Sequence, residues 1–136
     1  MNDRFLFRAK RVDNGEWAIG HYQRRFDLIG NEEHYIFSAK SHNEWEYAEI
    51  EPSTICQCTG LRDMPGNRIW ENDIVTYGNH KGIVKFGLYD SKHLGLFIEW
   101  MKGYGREYLR KDFPYWVLEI KVVGNVFDNP ELLEVE

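Results

Sequence analysis

Asp63, Glu71 and Asp73 fall within eleven residues on two turn-like segments. Oxygen donors so placed could hold a divalent cation, and such an ion would polarise a phosphodiester for hydrolysis. A plainer role competes and fits the context better. Asp and Asn side chains accept backbone N–H bonds wherever a chain reverses direction. The five histidines (21, 34, 42, 80 and 93) show no metal-ligand spacing such as His-x-x-x-His. Ser38, Ser41, Ser53 and Ser91 lack a nucleophile-elbow context, and no Gly-rich loop opens a helix that could cradle phosphate. No catalytic residue, metal ligand or cofactor is therefore assigned.

A second kind of chemistry is binding. Arg4, Arg8, Arg11, Arg24 and Arg25 are interleaved with Trp17, Tyr22 and Phe26. A sheet face that holds single-stranded nucleic acid needs cations for phosphate and rings for stacking, and this stretch has both. Arg8, Lys10, Arg11, Trp17, Arg24 and Arg25 are the candidate residues for a partner or a nucleic acid. Lys102, Arg106, Arg110 and Lys111 with Tyr104 and Tyr108 form a weaker patch of the same type. Against both stands the formal net charge of −5, with 17 basic and 22 acidic residues, which gives no global attraction to phosphate. The charge is unevenly spread. Residues 1–25 carry a net +3, and residues 31–51, with six Glu against Lys40, a net −5. Neighbouring strands of opposite charge that pair across a sheet account for this; contact between subunits is the alternative.

Cys56 and Cys58 are the only cysteines. Two positions apart on a strand, they share a face and diverge from disulfide geometry, so buried reduced thiols are expected. Five Trp, eight Tyr and eight Phe can bury about 150–250 Å² each, enough for a core without disulfides. The Met1-Asn2-Asp3-Arg4 opening lacks signal-peptide architecture, and no apolar run approaches the ~18–20 residues that span a bilayer. The expected location is the cytoplasm, without a membrane partner.

The elements that must position these residues are short strands. Phe5, Phe7 and Ala9 alternate with Leu6, Arg8 and Lys10 in a strand over 4–12. Asn14-Gly15 marks a hairpin, with the return strand over 16–23. Further strands are expected over 33–38, 45–49 and 55–59. Met64-Pro65-Gly66-Asn67 makes a tight turn. Beyond it come strands over 68–70, 73–77, 82–86, 95–101 and 118–126. Asn129-Pro130-Glu131 offers a capping Asn, a Pro at the first helical position and a first-turn acid, so one short C-terminal helix is expected. The fold class is mostly β, a β-rich α+β arrangement of short-stranded hairpins pointing to a small barrel or sandwich.

Three stretches then carry a likeness. Arg4-Phe5-Leu6-Phe7-Arg8-Ala9 resembles the Ile-Lys-Phe-Arg-Ala-Trp start of YopX-family chains. Residues 54–75, including Thr59-Gly60-Leu61-Arg62-Asp63, Gly66 and Ile69-Trp70-Glu71-Asn72-Asp73-Ile74-Val75, are similar to the family's Thr-Gly-Leu-Lys-Asp…Gly-x-x-Ile-Tyr-Glu-Gly-Asp-Ile-Val pattern. Gly124-Asn125-Val126-Phe127-Asp128-Asn129-Pro130-Glu131-Leu132-Leu133 resembles its Gly-Asn-Ile-Tyr-Glu-Asn-Pro-Glu-Leu-Leu ending. Cys56, Cys58, Asn72 and Lys10 depart from the usual Gly, Tyr, Gly and Trp. Order and spacing agree over nearly the whole chain. The resemblance implies a phage or prophage protein of a bacterial host cell, with an SH3-like barrel in the second half and no catalytic residues. The Pro65-Gly66 turn sets a soft boundary between residues 1–65, an N-terminal β subdomain, and 66–136, the barrel subdomain with the short helix; one compact unit is the alternative. Thr59, Gly60, Leu61, Asp63, Gly66, Glu71, Asp73, Gly124, Asn125, Asn129 and Pro130 are its motif positions, read as structural.

Together these readings favour a non-enzymatic, self-associating module that binds a macromolecule, with a second copy and a host or phage protein as partners. The alternatives are a nucleic-acid binder using the basic aromatic hairpin and a divalent-metal-dependent phosphodiesterase using the three central acids.

Overall fold

A computed structural model describes residues 3–101 and 113–134. The Lys102–Lys111 basic patch lies outside the described residues. The chain divides into two compact units, Met1–Cys58 and Thr59–Glu136. Its strands form antiparallel sheets throughout. No described helix is long and apolar enough to cross a membrane.

The first unit opens with a 3-10 turn at Asp3–Phe5, followed by β1 (Phe7–Lys10), β2 (Trp17–Phe26), β3 (Glu32–Ser41), β4 (Glu44–Glu49) and the start of β5 (Cys56–Arg62). Phe5, expected in the first strand, is exposed in that 3-10 turn, because pairing with both β2 and β5 begins only at Phe7. The long β2 serves two partners. Its residues 17–20 pair with β1, and 21–26 pair with β3. Asp27 makes the second reversal possible: its Oδ1 accepts the amides of Ile29 (3.0 Å) and Asn31 (2.8 Å). Directly paired residues share a face. Phe7, Ala9, Ala18, Tyr22, Ile36 and Ala48 therefore fall on one side, where they pack with Ile50 and Ile55 as the unit's apolar core.

In the second unit, the later half of β5 leads to β6 (Arg68–Trp70), β7 (Asp73–Tyr77), β8 (His80–Tyr89), β9 (His93–Trp100), α1 (Phe113–Trp116) and β10 (Lys121–Asn125). Four of these make a sheet in the order β10-β7-β8-β9. It is open: β9 and β10 are its outer strands, and no pairing links them among the described residues. The expected SH3-like barrel is not what this pairing builds. The expected C-terminal helix is only a 3-10 turn at Pro130–Leu133. β8 and β9 run further than the sequence suggests, from Gly82↔Trp100 to Tyr89↔His93. Glycine normally weakens a strand interior, but here Gly87 faces Gly95 in one register pair, and Asp90 and Ser91 reverse the chain at positive φ.

The core of this unit joins Ile69, Val75, Val84, Ile98 and Trp100 from the strands to Phe113, Trp116 and Ile120. Trp116 meets Trp100 and Tyr77 edge-on, at ring-centroid distances of 5.2 and 4.7 Å. Gly82 lies where a β-carbon would run into the Ile98 side chain and the Trp100 ring, both buried. Gly82→Ala is therefore expected to lower stability by about 1–3 kcal/mol through overpacking. A urea denaturation midpoint equal to that of the parent protein would contradict this packing.

Candidate functional site

The central acids are held by the backbone. Asp63 is buried, and its Oδ1 accepts the Asn67 amide at 2.7 Å. Its Oδ2 accepts the Asn67 side-chain amide (3.2 Å) and the backbone N–H of Val122 (3.0 Å) on β10, 59 residues along the chain. Burial acts to raise the Asp63 pKa, but the amides of Val122, Asn67 and Gly66 together outweigh it and hold the carboxyl below its ordinary value. Asp73 is also buried and accepts the Trp70 amide at 2.8 Å, closing the β6–β7 turn that contains Glu71 and Asn72. Three converging carboxylates, as metal-assisted phosphodiester chemistry requires, are not formed: no group of three His, Cys, Asp or Glu side chains among the described residues could hold a metal ion.

The other motif residues follow the same pattern. Thr59 is buried, donates its hydroxyl to Ile69 O (2.8 Å) and accepts the Leu61 amide (3.1 Å). Between them Gly60 takes φ +83°, a conformation that suits glycine, and the Leu61 side chain is exposed. Gly66, at φ +100°, turns the chain so that its amide reaches Asp63 O at 3.0 Å. Asn125 Oδ1 accepts the amides of Phe127 and Asp128 at 3.0 and 2.9 Å. Asn129 does not cap the turn begun by Pro130, as its position suggested; its Oδ1 reaches back to the Asn125 amide at 3.2 Å. Gly124 makes room for that side chain, since a β-carbon there would stand 2.5 Å from Asn129 Oδ1. Cys56 and Cys58 are buried and unbridged.

The basic candidates divide in two. Arg11 lies against Asp13 at 3.0 Å and within 3.9 Å of Glu46. The hydrogen bond to Asp13 raises the arginine pKa, and the same bond lowers that of Asp13. Arg24 pairs with Glu32 at 3.4 Å, on the core-facing side of β2. The Arg11–Glu46 and Arg24–Glu32 pairs hold cation to carboxylate between neighbouring segments. Arg8, Lys10 and Arg25 lie on the opposite side by register, and each has a ring beside it. Arg8 and Lys10 stand 4.5 and 4.6 Å from the centre of Trp17. Arg25 stands 4.1 Å from the centre of Tyr35 and 5.5 Å from that of Tyr47. A row of rings crosses β2, β3 and β4 on this same side. His21 touches Phe37 (5.5 Å), which touches Tyr47 and Trp45 (both 5.6 Å). Trp45 and Tyr47 are 53% and 52% exposed. Glu33 and Glu49 are the acids of this face by register, and Tyr35 donates its hydroxyl to Glu33 at 3.1 Å. Partial burial and that bond raise the Tyr35 pKa.

The sequence reading missed Tyr35, Phe37, Trp45 and Tyr47. The signal was there in the period-two placing of Tyr35 with Phe37 and Trp45 with Tyr47, but it does not say which face lies open. On the core side, a cavity of about 200 Å³ bordered by Arg11, Ser38, Glu46 and Ala48 is smaller than most small-molecule sites.

The YopX protein family model matches residues 6–134. The chain belongs to the YopX family. The buried Asp63, Asp73 and Asn125 of this YopX chain are thus among the positions by which the likeness was drawn, and each is spent on backbone hydrogen bonds. A search of curated proteins finds no match to the YopX chain. Among solved structures it is similar to protein EF1440 from Enterococcus faecalis, at 24% identity and a TM-score of 0.49, over 94% of this chain and 96% of that one.

Because the folded pKa of Asp63 lies below its unfolded value, its stabilisation is complete above about pH 4 and is lost as pH falls through the folded value. Asp63→Asn puts an amide donor against amide donors and is expected to cost about 1–3 kcal/mol at neutral pH. Thermal melts between neutral and acid pH should show the variant and parent converging as the pH falls. A constant gap between them would remove the role given to this carboxylate.

Proposed function

We propose that this YopX-family protein is a non-enzymatic module of phage or prophage origin that self-associates and binds a macromolecule in the cytoplasm of its bacterial host. The observation that carries this reading is the contrast between its polar groups and its rings. The buried acids Asp63 and Asp73 are engaged by backbone amides, whereas tryptophan and tyrosine rings are displayed on the side of the first unit's sheet away from its core. Exposed aromatic rings grouped on one face favour contact with another molecule. The YopX likeness supports the phage setting, and two unbridged buried thiols suit a reducing compartment.

Self-association draws its support from the second unit. Along one face of the β8–β9 hairpin, register pairs run outward from the core: Val84↔Ile98 is buried, then come Phe86↔Leu96 and Leu88↔Leu94. Phe86, Leu88 and Leu94 are 61%, 66% and 75% exposed. This outer row carries no charge. A second copy presents the same surface, and a two-fold axis would bring the two rows together.

Light scattering over a concentration series is expected to give the mass of a dimer or larger assembly. The double substitution Leu88→Glu, Leu94→Glu should reduce it to a monomer while leaving the circular dichroism spectrum unchanged. A parent protein that stays monomeric throughout the series would refute self-association.

A further inference from the structure

We infer that the open edge of β4 takes up an extended, basic segment of another protein as an added strand. The inference rests on the reading of the ring-bearing side of this sheet as a docking surface, and it names the occupant. Three observations select it. First, β4 stands at the end of the strand order of its sheet. Ile50 donates its N–H to His34 O on β3 (3.0 Å), whereas Glu49 O accepts the Val12 amide (3.0 Å). Backbone groups alternate in direction along a strand. In the unbroken register from Tyr35↔Glu49 to Ala39↔Trp45, Tyr47 and Trp45 therefore turn their N–H and C=O groups away from β3. No strand pairs with them there among the described residues. Second, that edge is acidic. β4 carries Glu44, Glu46 and Glu49 and no base. Among the described residues, only Arg11 lies within ion-pair distance of these acids, at 3.9 Å from Glu46, and it is closer to Asp13 (3.0 Å). Arg25 is the cation beside Tyr47, and Glu33 is its register partner. Third, a second copy of β4 does not fit. Antiparallel registers centred on Trp45 or Glu46 set Glu opposite Glu, which destabilises the pairing. A register centred on Tyr47 needs the edge at Glu49 that Val12 already holds.

The added strand is recognised in two ways. Its backbone bonds to Trp45 and Tyr47, which requires no particular side chains. Its side chains alternate between the two faces, and directly paired residues share a face. On one face Lys or Arg meets Glu44 and Glu46. On the other, Arg or Lys lies over Trp45 or Tyr47, whose rings are about half exposed. Arg25 already lies against Tyr35 in that way, 4.1 Å from the ring centre. A polyanion would be repelled by the same carboxylates, and an apolar strand would leave them without a counter-charge. The edge therefore selects bases.

The test is fluorescence anisotropy of the full-length protein with a labelled peptide of alternating Lys and Thr, long enough to span β4. Beside it run a Glu-Thr peptide and the Lys-Thr peptide with its backbone nitrogens methylated. Saturable binding of the Lys-Thr peptide is expected, roughly ten-fold tighter than that of either control and weakening with salt. Glu44→Lys combined with Glu49→Lys, both at exposed positions, should weaken that binding roughly ten-fold without altering the melting temperature. Trp45→Ala should weaken it several-fold. Equal binding of the methylated peptide would mean that no strand is added. Unchanged binding in the charge-reversed variant would mean that the acids select nothing. Either result overturns the inference, and so does absence of binding at low salt. If the Lys-Thr and Glu-Thr peptides bind alike and Trp45→Ala weakens both, the inference falls while the docking-surface reading stands. If no peptide binds, light scattering of Trp45→Ala separates the two readings. A changed oligomeric mass means that the face docks a second copy, and an unchanged mass removes both.

Discussion

A single carboxylate in the second unit fastens together segments that lie far apart in the chain. Asp63 sits at the end of β5 and accepts, on one side, the tight turn that follows it, and on the other the amide of Val122 in β10. A buried carboxylate is costly unless its oxygens are satisfied. Here Asn67 and Val122 supply donors from the turn and from the last strand, so the same bonds that make the burial tolerable also fix where β10 lies. Asp73 and Asn125 repeat the arrangement at the next turns. The signature residues of the chain are therefore a set of clasps. Chemistry that needs a mobile or metal-facing carboxylate would have to dismantle them.

The same economy of position explains how so many aromatic residues are distributed. In the second unit, Trp100, Phe113 and Trp116 are buried together and form much of the core. In the first unit the buried members of the core are small or aliphatic (Ala9, Ile36, Ala48 and Ile50), with Phe7 and Tyr22 partly buried beside them, while Tyr35, Phe37, Trp45 and Tyr47 stand on the other side of the sheet. The difference follows from register. β2, β3 and β4 each alternate, so a strand that places Ile36 or Ala48 inward must turn Phe37 or Tyr47 outward. One side of the sheet becomes a floor for the core and the other a display of rings.

Much of this was legible in the sequence. Period-two patterns at Phe7 and Ala9 and the Asp63–Asn67 turn announced antiparallel hairpins, and the two close cysteines announced buried thiols. What could not be read depended on pairing over distance. Nothing local says that Asp63 reaches Val122, that Arg11 and Arg24 turn to carboxylates while Arg25 turns to Tyr35, or that Asn129 bonds backwards to Asn125. The extension of β8 and β9 past Gly87 and Gly95 escaped for a related reason. Each glycine looks like an interruption until the two are found opposite one another. The α1 turn carries no amphipathic period, being four residues long, and its place is set by packing of Phe113 and Trp116.

The paired thiols of β5 give the chain an internal gauge of its own motions. Cys56 and Cys58 sit on a strand that pairs with β1 through Phe7 and Arg8, and both sulfurs are shielded in the closed state. An alkylating reagent can reach them only when the packing that buries them opens. The rate of labelling therefore measures how often that packing opens, whether locally or with the chain as a whole.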